Sequence, residues 1–178
     1  KTFNEVLEDA KRLGYAESNP RADLNGDDVS SKLKILSTLC FNSFLNNTIH
    51  VEGIKNIDRD DIINANKLGY KIKLLGFSEL IKNSIYQRVH PTLIKKSSYI
   101  ASIDGVLNAV IVEGKPVGQS VIQGEGAGPA ATTSALVSDI SSILRGNIKF
   151  PFSISNNQRK KLKFNDINER NFSAYLRF

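Results

Sequence analysis

Six ionisable side chains crowd one polar stretch of the chain: Glu17, Arg21, Asp23, Asp27, Asp28 and Lys32. If a helix starts near Asp27, then Asp28 and Lys32 stand four residues apart on one face, and the carboxylate holds the ammonium in one orientation. An ammonium fixed in this way suits catalysis. The same spacing on an ordinary surface helix contributes only about 0.3–0.5 kcal/mol and does no chemistry, so the spacing leaves both readings open. A second candidate is Gly124-Glu125-Gly126-Ala127-Gly128-Pro129. Glycines at 124, 126 and 128 ahead of a helix expose backbone amides at its positive end, which suits an anion, although such loops often only turn the chain. Glu125 argues against a phosphate grip by its own side chain, so any contact there would be through amides. No metal site is expected.

Helices must flank the first cluster. Thr2-Phe3-Asn4-Glu5 has the form of a capping box, Phe3, Val6, Leu7, Ala10 and Leu13 follow at helical spacing, and Gly14 ends the pattern. A polar loop from Tyr15 to Asp27, with Pro20 and Gly26, then gives way to a longer helix carrying Val29, Leu33, Leu36, Cys40 and Phe44. Asp58 to Gly69 reads as a capped helix, with strands expected over 70–75 and 85–89. Segments 108–112 and 117–123 form a hairpin about the turn-rich Glu113-Gly114-Lys115-Pro116, and a helix runs from about Ala130 to Arg145 with Pro129 in its first turn. The expected class is α+β, a mixed or antiparallel sheet covered by helices.

Composition narrows the function classes. At 178 residues with 40% hydrophobic and 24% charged, the chain can bury one core. It has no apolar run of about eighteen residues and its first residues are not a secretory signal, so a soluble protein with no membrane partner is expected. The single cysteine, Cys40, lies in an apolar run and is read as a buried core thiol in a reducing, cytoplasmic setting. The net charge of +6 is uneven: residues 1–146 carry 17 basic against 16 acidic side chains, and residues 147–178 carry 7 against 2. The excess sits in a tail without aromatic interleaving, which speaks against nucleic acid. From Asn147 the chain turns polar and basic, so 147–171 is expected to be a solvated linker, and 172–178 the first strand of a further domain.

The string from Ala10 to Lys32 resembles the signature of the homoserine dehydrogenases. An alanine is followed by glycine-aromatic-small at Gly14-Tyr15-Ala16 and by an amide before proline at Asn19-Pro20. Asp23-Leu24-Asn25-Gly26-Asp27-Asp28 and Lys32 then fit Asp-aliphatic-x-Gly-x-Asp-x-x-x-Lys. Asp104 to Gly114 and the loop Gly124 to Pro129 resemble the same family in the same order, so the likeness covers roughly residues 3–146.

The resemblance implies a substrate-binding and dimerisation domain of an NADP- or NAD-dependent oxidoreductase. Such an enzyme interconverts L-homoserine and L-aspartate 4-semialdehyde on the way to threonine and methionine, and works as a homodimer. It makes Lys32 the catalytic lysine, Asp28 its neighbouring substrate-site aspartate, and Glu17 the grip on the substrate ammonium. Asp23 either binds substrate or shapes the loop, and Gly124, Gly126 and Gly128 approach the cofactor. A lysine that takes the hydroxyl proton must be neutral for part of the cycle, which burial favours and Asp28 opposes. Asn19 stands where many relatives have aspartate, an isosteric change. No strand-Gly-x-Gly-x-x-Gly-helix unit is present to hold the dinucleotide, so a middle fragment is expected, unable to turn over alone and followed by the start of an ACT-type domain. The alternative is a non-catalytic dimerisation or assembly module.

Overall fold

A computed structural model of the chain describes residues 3–16, 18–43, 48–147, 152, 155–166, 171 and 173–176. Two compact units divide them. The first takes Lys1–Asn19, Ala65–Lys71 and Leu93–Ile148, and the second takes Pro20–Asn64, Ile72–Thr92 and Lys149–Phe178. The class is α+β, as expected, with parallel and antiparallel strand pairs.

In the second unit, helices α2 (Arg21–Asn25) and α3 (Asp27–Phe41) meet at Gly26, which ends one and opens the other. Strand β1 (His50–Val51) is followed by α4 (Arg59–Lys67), whose first turn is locked by reciprocal bonds: Asp61 N–H to Asp58 Oδ1 at 2.9 Å and Asp58 N–H to Asp61 Oδ2 at 3.0 Å. Strands β2 (Tyr70–Ile81) and β3 (Ser84–Lys95) are neighbours joined by Lys82-Asn83, and both outrun their expected lengths. Across the other edge of β3, β1 pairs in parallel at Arg88 and Val89.

Helix α3 lies on this sheet by the line Val29, Leu33, Ser37. Leu33, Ile49 and Val89 form the core, with Val29, Val51 and Leu74 against it. Val89 is wholly buried, worth about 1.5–3 kcal/mol over an exposed side chain. Gly76 makes the packing possible, because a Cβ there would stand 3.1 Å from Val29 Cγ1 and 3.5 Å from Leu33. Deeper in, the Gln87 amide donates to Ser37 Oγ at 2.9 Å.

Three expectations are corrected here. Cys40 is exposed, since it falls in the last turn of α3, where the described residues leave it uncovered. The 147–171 stretch is more than a solvated linker: Lys163–Phe164 forms β6, parallel to β3 at Ser84 and Ile85, and Asn165 N–H donates to Ile85 O at 2.9 Å. Lys160 is tied to the end of α3 from both sides, its N–H on Asn42 O and its carbonyl receiving Ser43 Oγ–H, each at 2.9 Å. The Arg159 guanidinium lies over the Phe152 ring, 5.1 Å from its centroid. Of the strand expected over 172–178, residues 173–176 are described and carry none.

The first unit holds α1 (Phe3–Arg12), the hairpin of β4 (Leu107–Gly114) and β5 (Gly118–Glu125), and α5 (Pro129–Leu144). The hairpin is in register from Leu107↔Glu125 to Gly114↔Gly118, and Gly118 at φ 78 closes a three-residue turn of the kind that needs a left-handed position. Thr2 and Phe44, expected at the ends of α1 and α3, lie outside the described residues. Among the described residues no helix is long and apolar enough to cross a membrane.

Candidate active site

The Asp28 and Lys32 side chains meet as the spacing requires. Both belong to the first turns of α3, and Asp28 Oδ2 lies 2.7 Å from Lys32 Nζ. Successive residues advance about 100° around a helix, so 28, 32, 35 and 39 share one flank while 29, 33 and 37 face the sheet. The pair therefore heads a flank that continues into Ile35 and Leu39, each about half exposed. Side-chain exposures of 55% for Lys32 and 42% for Asp28 show that the described residues do not supply the burial expected around the amine.

What places the pair is the corner before it. Gly26 is buried at φ 86, with its N–H on Asp23 O at 3.3 Å and its carbonyl accepting Ser30 N–H at 3.0 Å. A Cβ on Gly26 would reach Val51 Cγ1 at 3.0 Å and Val89 Cγ1 at 3.3 Å, so the backbone itself is wedged onto β1 and β3. Ile54 N–H donates to Leu24 O at 2.9 Å, which ties the short helix α2 to the segment following β1. Asn25 Nδ2 donates to Asp27 Oδ2 at 3.4 Å, and Ser31 Oγ donates to Asp27 O at 3.0 Å. Asp27, the neighbour that precedes the signature's aspartate, thus engages Asn25 through its carboxylate and Ser31 through its carbonyl, while Asp28 meets Lys32.

Asp23 sits in the exposed first turn of α2, on the far side of Gly26 from the pair, and its carbonyl closes the turn. Glu17 lies outside the described residues.

The three glycines belong to the first unit and differ from one another. Gly124 is a strand residue of β5 with open space at its Cβ position. At Gly126 a Cβ would meet the Asn108 side-chain amide, and the residue's own N–H is spent on Val106 O at 3.0 Å. Gly128, at φ 110 and ψ 156, adopts a backbone that suits only glycine and opens α5, where its carbonyl accepts Thr132 N–H at 3.2 Å and Thr132 Oγ–H at 3.0 Å. The amides left to meet an anion are those of Ala130 and Ala131, behind Pro129, at the positive end of a 16-residue helix. The expected amide contact through Gly126 N–H is already taken.

Sequence reasoning missed His90 on β3. Burial is the main cause that holds its imidazole pKa below the ordinary value of 6.5, and Arg88 and His50 add to it, while the Pro91 carbonyl and Glu52 partly oppose. A lone histidine in a strand gave no pattern to read.

Comparison with known proteins places these residues in context. The family model for homoserine dehydrogenase matches residues 1–141. The homoserine dehydrogenase of Neisseria gonorrhoeae is 45% identical over 144 residues, which cover 80% of this chain and 33% of that protein. That of Helicobacter pylori is 40% identical, covering 91% of this chain and 39% of its own length. A crystal structure of the Thiobacillus denitrificans homoserine dehydrogenase superposes with a TM-score of 0.80 at 38% identity, over 92% of this chain and 40% of that one. A hyperthermophilic archaeal homoserine dehydrogenase mutant solved in complex with NADPH superposes at 0.63 with 25% identity, over 87% of this chain and 43% of that one. The chain thus spans between a third and two fifths of the length of the curated relatives it matches.

Proposed function

The chain belongs to the homoserine dehydrogenase family, and from that membership we propose that it is the substrate-binding and catalytic portion of an enzyme interconverting L-homoserine and L-aspartate 4-semialdehyde. The observation that carries the reading is the 2.7 Å Asp28–Lys32 contact at the head of α3, formed by the two residues that fill the signature's aspartate and lysine positions.

Homoserine carries a primary alcohol, and its oxidation removes a hydride from carbon and a proton from oxygen. The nicotinamide of bound NADP or NAD supplies the hydride acceptor, or in reduction the hydride donor. Lys32 Nζ takes the hydroxyl proton, and in the reverse direction returns it to the aldehyde oxygen. Asp28 holds the amine on one side, leaving the opposite side for the substrate hydroxyl. Glu17 is assigned the substrate ammonium, where a carboxylate is the matching charge, and Asp23 the loop or a second substrate contact. Substrate and the remaining parts of the enzyme, closing over the Lys32 flank, provide the desolvation that makes proton transfer efficient. The pathway to threonine and methionine, and the use of NADP or NAD, rest on the family.

The test is NAD(P)H oxidation with aspartate semialdehyde by the full-length protein that contains this chain, beside its Lys32→Ala form. A loss of about 10²–10⁴-fold in kcat is expected, as for removal of a general acid–base group. Unchanged turnover would remove the assignment.

A second reading is favoured by the exposed flank of α5, where Leu136, Val137, Ile140, Ile143 and Leu144 are each more than half exposed. An apolar helix flank of this kind needs covering, and a role in assembly fits it. Sedimentation velocity decides: a protein strictly monomeric at high micromolar concentration speaks against a homodimer.

A further inference from the structure

We infer that Gly53 is a positioning residue for Lys32, fixing where α3 begins; the inference rests on the role proposed for Lys32. Gly53 follows β1 by two residues and lies against the backbone of α2. A Cβ built on it would stand 2.1 Å from Leu24 O and 2.7 Å from both Asn25 Cα and Asn25 C. All three are backbone atoms of α2, immediately before Gly26, so no side chain can rotate aside to make room.

The same backbone is held on two further sides. Ile54 N–H draws Leu24 O to 2.9 Å, and Glu52 N–H on Val89 O at 2.8 Å fixes the donor strand to the core. Val51 Cγ1 and Val89 Cγ1 fill the space where Gly26 would carry a Cβ. The α2–Gly26–α3 corner is therefore clamped between the Gly53 backbone and the valines of β1 and β3. Asp28 follows this corner by two residues and Lys32 by one further turn. Relieving a 2.1 Å approach requires a shift of roughly 1 Å or more before ordinary contact is restored, since real Cβ contacts lie near 3.5–4.0 Å. A displacement of that size at a reacting group lowers turnover by about 10²-fold.

The experiment is Gly53→Ala in the full-length protein, with Gly114→Ala as control, because a Cβ on Gly114 meets nothing within 4 Å. Steady-state kinetics are taken across pH well below the melting temperature, with fold monitored by circular dichroism and by NADPH binding. Gly53→Ala is expected to lower kcat by 10- to 100-fold and to displace the pH profile of kcat, with NADPH affinity kept and Gly114→Ala within twofold of the unaltered protein. If Gly53→Ala does not fold, Val51→Ile, which adds one methyl beneath Gly26, is read the same way with an expected loss of several-fold. A folded Gly53→Ala, or failing that Val51→Ile, with unaltered kcat and pH profile overturns the inference whatever its melting temperature. Lys32→Ala run alongside separates the two failures: if it too is fully active, the proposed function has failed and not the clamp alone.

Discussion

Gly26→Ala and Gly69→Ala form a matched pair whose difference is set by what lies beside them. Their backbones are nearly the same, at φ 86 and φ 83, so an alanine at either site carries the left-handed penalty of about 1–2 kcal/mol. The surroundings differ. Around Gly69 a Cβ meets nothing within 4 Å, whereas at Gly26 it meets Val51 Cγ1 at 3.0 Å and Val89 Cγ1 at 3.3 Å. Val89 is 0% exposed and cannot retreat, so the second substitution also overpacks a core, at about 1–3 kcal/mol. Gly69→Ala should therefore lose about 1–2 kcal/mol and Gly26→Ala about 2–5 kcal/mol. Urea unfolding followed by circular dichroism measures both, and Val51→Ala completes a double-mutant cycle in which the extra loss at Gly26 is largely recovered. Equal losses at the two glycines, or no recovery with Val51→Ala, would refute the claim that the α2–α3 corner is wedged on the valines.

Two further expectations follow from named contacts. Because Asp28 and Lys32 are both well exposed, Lys32→Ala should shift unfolding free energy by no more than about 0.5 kcal/mol while removing turnover, and a large stability loss would show that the lysine is structural. His90 has its folded pKa below 6.5, so as pH falls the unfolded chain takes up the proton first; its contribution is complete above about pH 6.5 and is lost on acidification below that value. The melting temperature of His90→Gln should therefore fall less steeply between pH 7.5 and 5.5 than that of the unaltered protein, and parallel curves would show that His90 takes no part.

The elements that carry their own pattern were legible from the residues. The apolar repeat of α3, the Asp58–Asp61 cap of α4, the β4–β5 hairpin and the Pro129 start of α5 all stand within a few residues of their expected places. Asp28 and Lys32 were legible for the same reason, since i,i+4 geometry depends on the helix alone. Elements that exist by virtue of a neighbour were not. β1 and β6 have two residues each and no periodicity, and they are strands because β3 offers them its edge. The polar composition that suggested a free linker at 147–171 is no obstacle to an edge strand, which is held by backbone bonds. β2 continues past Gly76, a residue that reads as a breaker, because the gap left by its missing side chain is filled by α3. Pro91 sits within β3 without harm: Ile85 and Val89 present their carbonyls to the β1 and β6 edge, so the absent N–H of Pro91 falls on that edge just beyond the end of β1. The five-residue α2 was hidden in a stretch that reads as loop, and it is the element on which Gly53 acts.

The pairing of β6 with β3 has a consequence during synthesis of the chain. Ile85 emerges roughly eighty residues before its partner Phe164. At a translation rate of about 5–20 residues per second, that end of β3 waits roughly 4–16 s for the strand that covers it. For those seconds a nascent chain displays a bare sheet edge, the feature most prone to recruit a neighbouring chain on the same messenger. Slowing the ribosome with rare codons between 86 and 162 should lengthen the interval and increase the aggregated fraction, whereas the same codons placed after 166 should not.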